Sequence, residues 1–156
     1  MFVLVDWKAL PSDMKIGIFL LLVFATALSG CTPAPATKSN SVASESDGRL
    51  ARAFADEESR LQIEGSGTVI NLLDDDDNEG SRHQRFIVKL GSGQTILIAH
   101  NIDLASRIDS LKVGDEVSFF GEYDWSPKGG TVHWTHHDPQ GRHVAGWLKH
   151  EGRLYQ

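Results

Sequence analysis

RFIVKLGSGQTILIAH, residues 85–100, alternates apolar and polar side chains on either side of a glycine turn. Successive side chains of a strand point to opposite faces, so Phe86, Val88 and Leu90 share one face. Gly91-Ser92-Gly93 supplies the turn, and Gln94–His100 reads as the returning strand, which predicts a β-hairpin. Upstream, Thr68–Leu73 (TVINLL) is a short β-favouring run ended by the acidic loop Asp74–Gly80. Downstream, Leu104–Leu111 (LASRIDSL) reads as a brief helix and Lys112-Val113-Gly114-Asp115 as a tight turn. Val117, Phe119 and Tyr123 alternate along a fourth strand, with Gly121 relieving a bend. Ser126–Gly130 is a further turn, and Thr131–His137 (TVHWTHH) a fifth strand.

Five strands with a short helix between the third and fourth match the order of an OB barrel. An SH3-like barrel or an open sandwich is the competing arrangement. The expectation is therefore an all-β domain with short helices, a five-stranded OB-like barrel, with Phe86, Val88, Val117, Phe119 and Trp134 buried together. Arg49–Leu61 spaces Leu50, Phe54 and Leu61 at helical intervals, which predicts an N-terminal amphipathic helix that plugs one end of the barrel.

Further upstream the pattern changes. Ile16–Leu28 is an uninterrupted apolar run preceded by Lys15 and followed by Ser29, Gly30 and Cys31. A basic residue, a short apolar core and small residues describe a secretory signal, too short for a permanent spanning helix. Leu28-Ser29-Gly30-Cys31 resembles the lipobox of bacterial lipoproteins, which implies cleavage before Cys31 and lipid on its sulfur. Cys31 is the only cysteine, so no internal disulfide competes for it. Met14-Lys15 gives the signal its ordinary shape, so translation is expected to begin at Met14. Residues 1–30 are the expected signal peptide, 31–48 a lipidated, flexible Pro/Ser/Ala/Thr-rich tether, and 49–156 a single domain. Thr32 after the cysteine implies the outer membrane, facing the periplasm, by the enterobacterial sorting rule.

The signal segment's Asp6 and Asp13 cancel Lys8 and Lys15, so the mature chain keeps the formal charge of −6. That acidic balance argues against a nucleic-acid partner, which needs a basic face.

The chain has 7 histidines, five of them from His133 to His150. His133 and His137 share a strand face but would stand roughly 13 Å apart at the rise of a strand, too far to ligate one ion. His136 and His137 point to opposite faces. A metal therefore needs one histidine of this strand with further ligands from His83, His100, His143 or Asp138, and His100, His137 and His143 are the candidate ligands for a divalent ion such as zinc or copper. Otherwise no cofactor is expected. Asp138, between His137 and Pro139, either orients an imidazole or caps the turn. His100-Asn101-Ile102-Asp103 offers a base and a carboxylate, or a strand end with Asp103 capping the following helix. Asp74–Asp77 with Glu79 lacks the spacing of calcium loops and reads as a solvated acidic turn. Trp125, beside a Pro/Gly turn, is placed to stack on a flat ligand. The candidate ligand-binding residues are thus His100, Asp103, Trp125, His133, His137, Asp138 and His143, with Cys31 the lipidation site.

Residues 76–86 (DDNEGSRHQRF), 93–105 (GQTILIAHNIDLA) and 128–147 (KGGTVHWTHHDPQGRHVAGW) are similar to a bacterial family, the domain of unknown function 3465. The resemblance runs from about Phe54 to Gln156. It implies a small secreted or lipoprotein domain and supplies no reaction, ligand or partner. The expected function is a non-enzymatic envelope binding module contacting a ligand or envelope protein through its His/Trp/Asp surface. Its rivals are a metal-binding protein or metal-dependent hydrolase using the same histidines, and a scaffold acting through protein contacts.

Overall fold

Alternation of side chains along the strands builds a closed barrel, seen in a computed structural model that describes residues 38–77 and 80–156. The expected signal segment, Cys31 and the start of the tether lie outside the described residues. Helix α1 (Lys38–Ala55) precedes β1 (Leu61–Leu72), β2 (His83–Lys89), β3 (Thr95–Asn101), β4 (Glu116–Asp124), β5 (Thr131–His133), β6 (Trp147–His150) and β7 (Arg153–Tyr155). The barrel order is β1-β2-β3-β5-β4, closed by antiparallel pairing of β4 with β1. β3 and β5 run parallel and the other pairs are antiparallel, which gives the OB-like barrel expected from the strand order.

The fifth wall of this barrel comes in two pieces. Along the edge of β4 opposite β1, β5 covers Glu122–Asp124 and β6 covers Val117–Phe120. Residues 134–146 leave the sheet between the two pieces and return. The predicted strand Thr131–His137 thus stops at His133, because Trp134 takes a left-handed backbone (φ 52°) that ends pleated pairing. Trp134 consequently stands half-exposed outside the barrel, and Val132 takes the core position expected of it. Gly146 brings the chain back: a Cβ there would stand 2.0 Å from the Trp134 carbonyl oxygen and 2.4 Å from that of Phe120. Only glycine allows so close a backbone approach.

Phe86, Val88, Ile96, Ile98, Val117, Phe119, Tyr123, Val132 and Leu148 fill the interior, each fully buried. Burying a side chain of this size contributes roughly 1.5–3 kcal/mol. Leu50 and Ala53 of α1 join this core, so the helix closes the barrel as expected. Its limits differ from expectation. It starts at Lys38, within the predicted tether, since no proline interrupts residues 38–55. It ends at Ala55 instead of Leu61, because Glu57 (φ 54°) and Arg60 (φ 61°) turn the chain into β1.

The predicted helix Leu104–Leu111 is absent as well. Asn101 Oδ1 accepts the N–H groups of Asp103 and Leu104, making a turn. The backbone of buried Ile108 then bonds the Gln84 amide at both its N–H and its carbonyl (2.8 and 2.9 Å), which leaves no helical partner for either. Among the described residues no helix is long and apolar enough to cross a membrane.

Candidate functional site

The excursion between β5 and β6 carries His136, His137 and His143, and Asp138 shapes its tip. Asp138 Oδ1 accepts the Gln140 N–H (3.0 Å), and Oδ2 accepts those of Arg142 (2.7 Å) and His143 (2.9 Å). These donors, Gln140 foremost, hold its carboxyl below the ordinary aspartate range. Of the two roles open to Asp138, the turn cap is the one the contacts support.

The tip folds His143 back over β4. Its ring stacks on Trp134 with centroids 4.1 Å apart and planes 9° apart. Nδ1 lies 2.8 Å from the Val144 carbonyl oxygen and Nε2 lies 2.9 Å from Glu122 Oε2. Both neighbours are acceptors, so both ring nitrogens are satisfied together only as donors, in the imidazolium. Burial opposes that charge, but the Glu122 carboxylate and the Val144 carbonyl outweigh it and raise the His143 pKa.

Glu122 belongs to a tight outward-facing group. Alternation along β4 sends Val117, Phe119 and Tyr123 inward and leaves Glu122 and Asp124 outside, two residues apart. His133 sits directly across from Glu122 on β5. Its Nε2 stands 2.9 Å from Asp124 Oδ2 and 3.9 Å from Glu122 Oε1. One ligand atom from each of Glu122, Asp124 and His133 lies within 4.8 Å of the others. The Arg60 N–H donates to Asp124 Oδ1 (3.0 Å) and so fixes the carboxylate.

Beside this group the outer face of β2, β3 and β5 forms an open concavity of about 350 Å³. Leu97, Ala99 and Thr131 form its floor, with Asp76, His83 and Arg85 on one side and Asp124 and His133 on the other. Arg85 is already engaged, its Nη1 2.7 Å from Asp76 Oδ2 and its Nε and Nη2 donating to the Asp74 carbonyl oxygen. The acidic loop is likewise tied to the barrel through Asp75 and Arg107 (3.0 Å).

The remaining expected residues are dispersed. His100 points inward after Ile96 and Ile98 and is fully buried. Its Nδ1 meets Thr135 Oγ1 (2.8 Å) and its Nε2 the Ser106 carbonyl oxygen (3.3 Å). Burial pushes its pKa down to about 4. Asp103 binds the Arg82 backbone N–H (2.8 Å) and guanidinium (3.0 Å); with no helix following it, the expected N-cap role has nothing to cap, and Asn101 closes the turn instead. Trp125 is half-buried and ties the helix end, its Nε1–H donating to the Phe54 carbonyl and its N–H to Ser59. His137 is exposed. His100, His137 and His143 are therefore not drawn together: one faces the core, one faces solvent and one faces Glu122.

Glu122, Asp124, Asp76 and Arg85 fall outside the expected set, and His83 entered it only as a possible metal contributor. The two on β4 have a signal in the sequence. In a strand whose Val117, Phe119 and Tyr123 face inward, Glu-Tyr-Asp must present both carboxylates outside. Their meeting with His133 depends on the β4–β5 register, which the local pattern does not carry. Among curated proteins no match is found. Residues 34–156 match the family model described as protein of unknown function (DUF3465), and the chain belongs to that family.

Proposed function

We propose that this domain is a non-enzymatic binding module that takes a polar ligand on the outer face of β2, β3 and β5. The observation that carries the reading is the concavity over Leu97 and Ala99, with an apolar floor and hydrogen-bonding walls. It coincides with the face that OB barrels use for oligonucleotides and oligosaccharides. The formal charge of −6 and the pairing of Arg85 with Asp76 favour a neutral ligand such as a saccharide over a nucleic acid. The same reading displays the module in the bacterial envelope, held by lipid on Cys31 at the outer membrane and facing the periplasm. The apolar run Ile16–Leu28 and the Leu28-Ser29-Gly30-Cys31 sequence support that placement.

Isotope-labelled protein titrated with a panel of neutral and charged oligosaccharides tests the ligand face. Saturable amide shifts are expected at Leu97, Ala99 and Thr131, and Ala99→Arg, which fills the floor, removes them. Binding that is confined to other surfaces, or that survives Ala99→Arg, refutes the reading.

A further inference from the structure

We propose that Glu122, Asp124 and His133 form a binding site for a divalent first-row transition-metal ion of the zinc type. The proposal concerns an ion on the Asp124 and His133 side of the concavity and does not rest on the binding-module reading. Bond lengths of about 2.0–2.2 Å around a tetrahedral ion put ligand atoms roughly 3.3 Å apart. The His133 Nε2 separations of 2.9 and 3.9 Å from the two carboxylates bracket that spacing, so small side-chain rotations suffice.

The supporting contacts leave the ligand atoms free to converge. Arg60 holds the far oxygen of Asp124, and His143 holds the far oxygen of Glu122 at 2.9 Å. His143 is itself fixed by its stacking on Trp134. Such outer partners orient metal ligands, and their loss typically weakens binding by about 10–100-fold. His143 is thus a positioning residue. The three ligand side chains are half-buried, with exposures of 32% for His133, 20% for Glu122 and 40% for Asp124, so an ion can enter from solvent. An imidazole nitrogen among the donors favours zinc-type ions over magnesium or calcium, which prefer all-oxygen shells.

The test uses the full chain after chelator treatment, titrated with Zn²⁺ by calorimetry and with Co²⁺ by visible absorption. One ion per chain is expected, and excess Mg²⁺ or Ca²⁺ should not compete. His133→Ala, which removes the one imidazole ligand, should abolish zinc uptake at low micromolar concentration and remove the cobalt d–d bands. Glu122→Gln should also weaken uptake, with an unchanged circular dichroism spectrum. His143→Gln should weaken it by about 10-fold, and His137→Ala should leave it unchanged. Uptake unaffected by both His133→Ala and Glu122→Gln places the ion elsewhere on this histidine-rich chain and overturns the proposal. Equal competition by Mg²⁺ or Ca²⁺, or no uptake at low micromolar zinc, overturns it too. None of these results bears on saccharide shifts at Leu97 and Ala99, so the two readings fail separately.

Discussion

Buried His100 carries the clearest pH signature at the scale of single residues. Its Nε2 faces a carbonyl and must donate, so Nδ1 accepts from the Thr135 hydroxyl, and the folded state holds the ring neutral. Burial depresses its pKa from 6.5 to about 4. Between those values the unfolded chain binds a proton that the folded chain does not. Stability is therefore fully present above pH 6.5 and falls as pH drops towards 4. The shift corresponds to a loss on the order of 3 kcal/mol. The carboxylates act lower: Asp115, drawn down to about 2 chiefly by Lys112, loses its contribution only below the ordinary aspartate value of 3.8. Thermal unfolding followed from pH 7 to 4 should thus show a falling Tm in the wild type and a flatter profile in His100→Gln. Parallel profiles would assign the acid sensitivity to other groups. His143 shows the opposite balance, with a carboxylate and a carbonyl on its ring, so spatial neighbours rather than residue type decide a histidine's charge.

Each departure of an element from the sequence pattern has a local cause. The hairpin of β2 and β3 is legible because Phe86, Val88, Ile96 and Ile98 alternate without interruption. β1 is only half legible, since its inward positions between Ile63 and Val69 are Gly65 and Gly67, which carry no apolar side chain to mark the period. Gly65 is small because the Phe119 ring occupies that space: a Cβ would lie 2.6 Å from it. The split fifth wall is hidden for another reason, as β5 and β6 have three and four residues and are unified only by their shared edge on β4. The candidate site inherits that difficulty. His133 and His143 belong to one visible histidine-rich stretch, but their carboxylate partners come from β4 through register. Gly146→Ala tests the geometry of the excursion directly. With two carbonyl oxygens within 2.4 Å of the new Cβ, the backbone must shift, and a loss of about 2 kcal/mol or more is expected in denaturant unfolding. Amide shifts should spread to Trp134 and Phe120, whose carbonyls are the ones displaced. A Gly146→Ala variant as stable as wild type would show that β5 and β6 are joined less tightly than this geometry requires.

At the scale of the molecule, the barrel is built inside-out relative to a membrane barrel, with apolar side chains filling its interior. Outer positions carry Glu64, Thr68, Lys89, Glu116 and Glu122 instead, where a lipid-facing barrel needs an apolar band. Attachment to a membrane, as proposed from the N-terminal sequence, must then come from outside the barrel. Cys31, the proposed lipid acceptor, lies outside the described residues, seven positions before α1 begins in the sequence. Acyl chains contribute about 0.8 kcal/mol per buried CH₂, and one chain alone binds only reversibly, whereas the several chains of a lipoprotein anchor stably. Cys31→Ser removes the acceptor for all of them at once. In detergent phase partitioning the wild type should enter the detergent phase, and the processed mutant should move to the aqueous phase. The barrel of the mutant should unfold with an unchanged Tm, because its core begins at Leu50 and owes nothing to the anchor. Processed mutant that stays with the membrane would show that a surface of the domain, and not lipid on Cys31, makes the attachment.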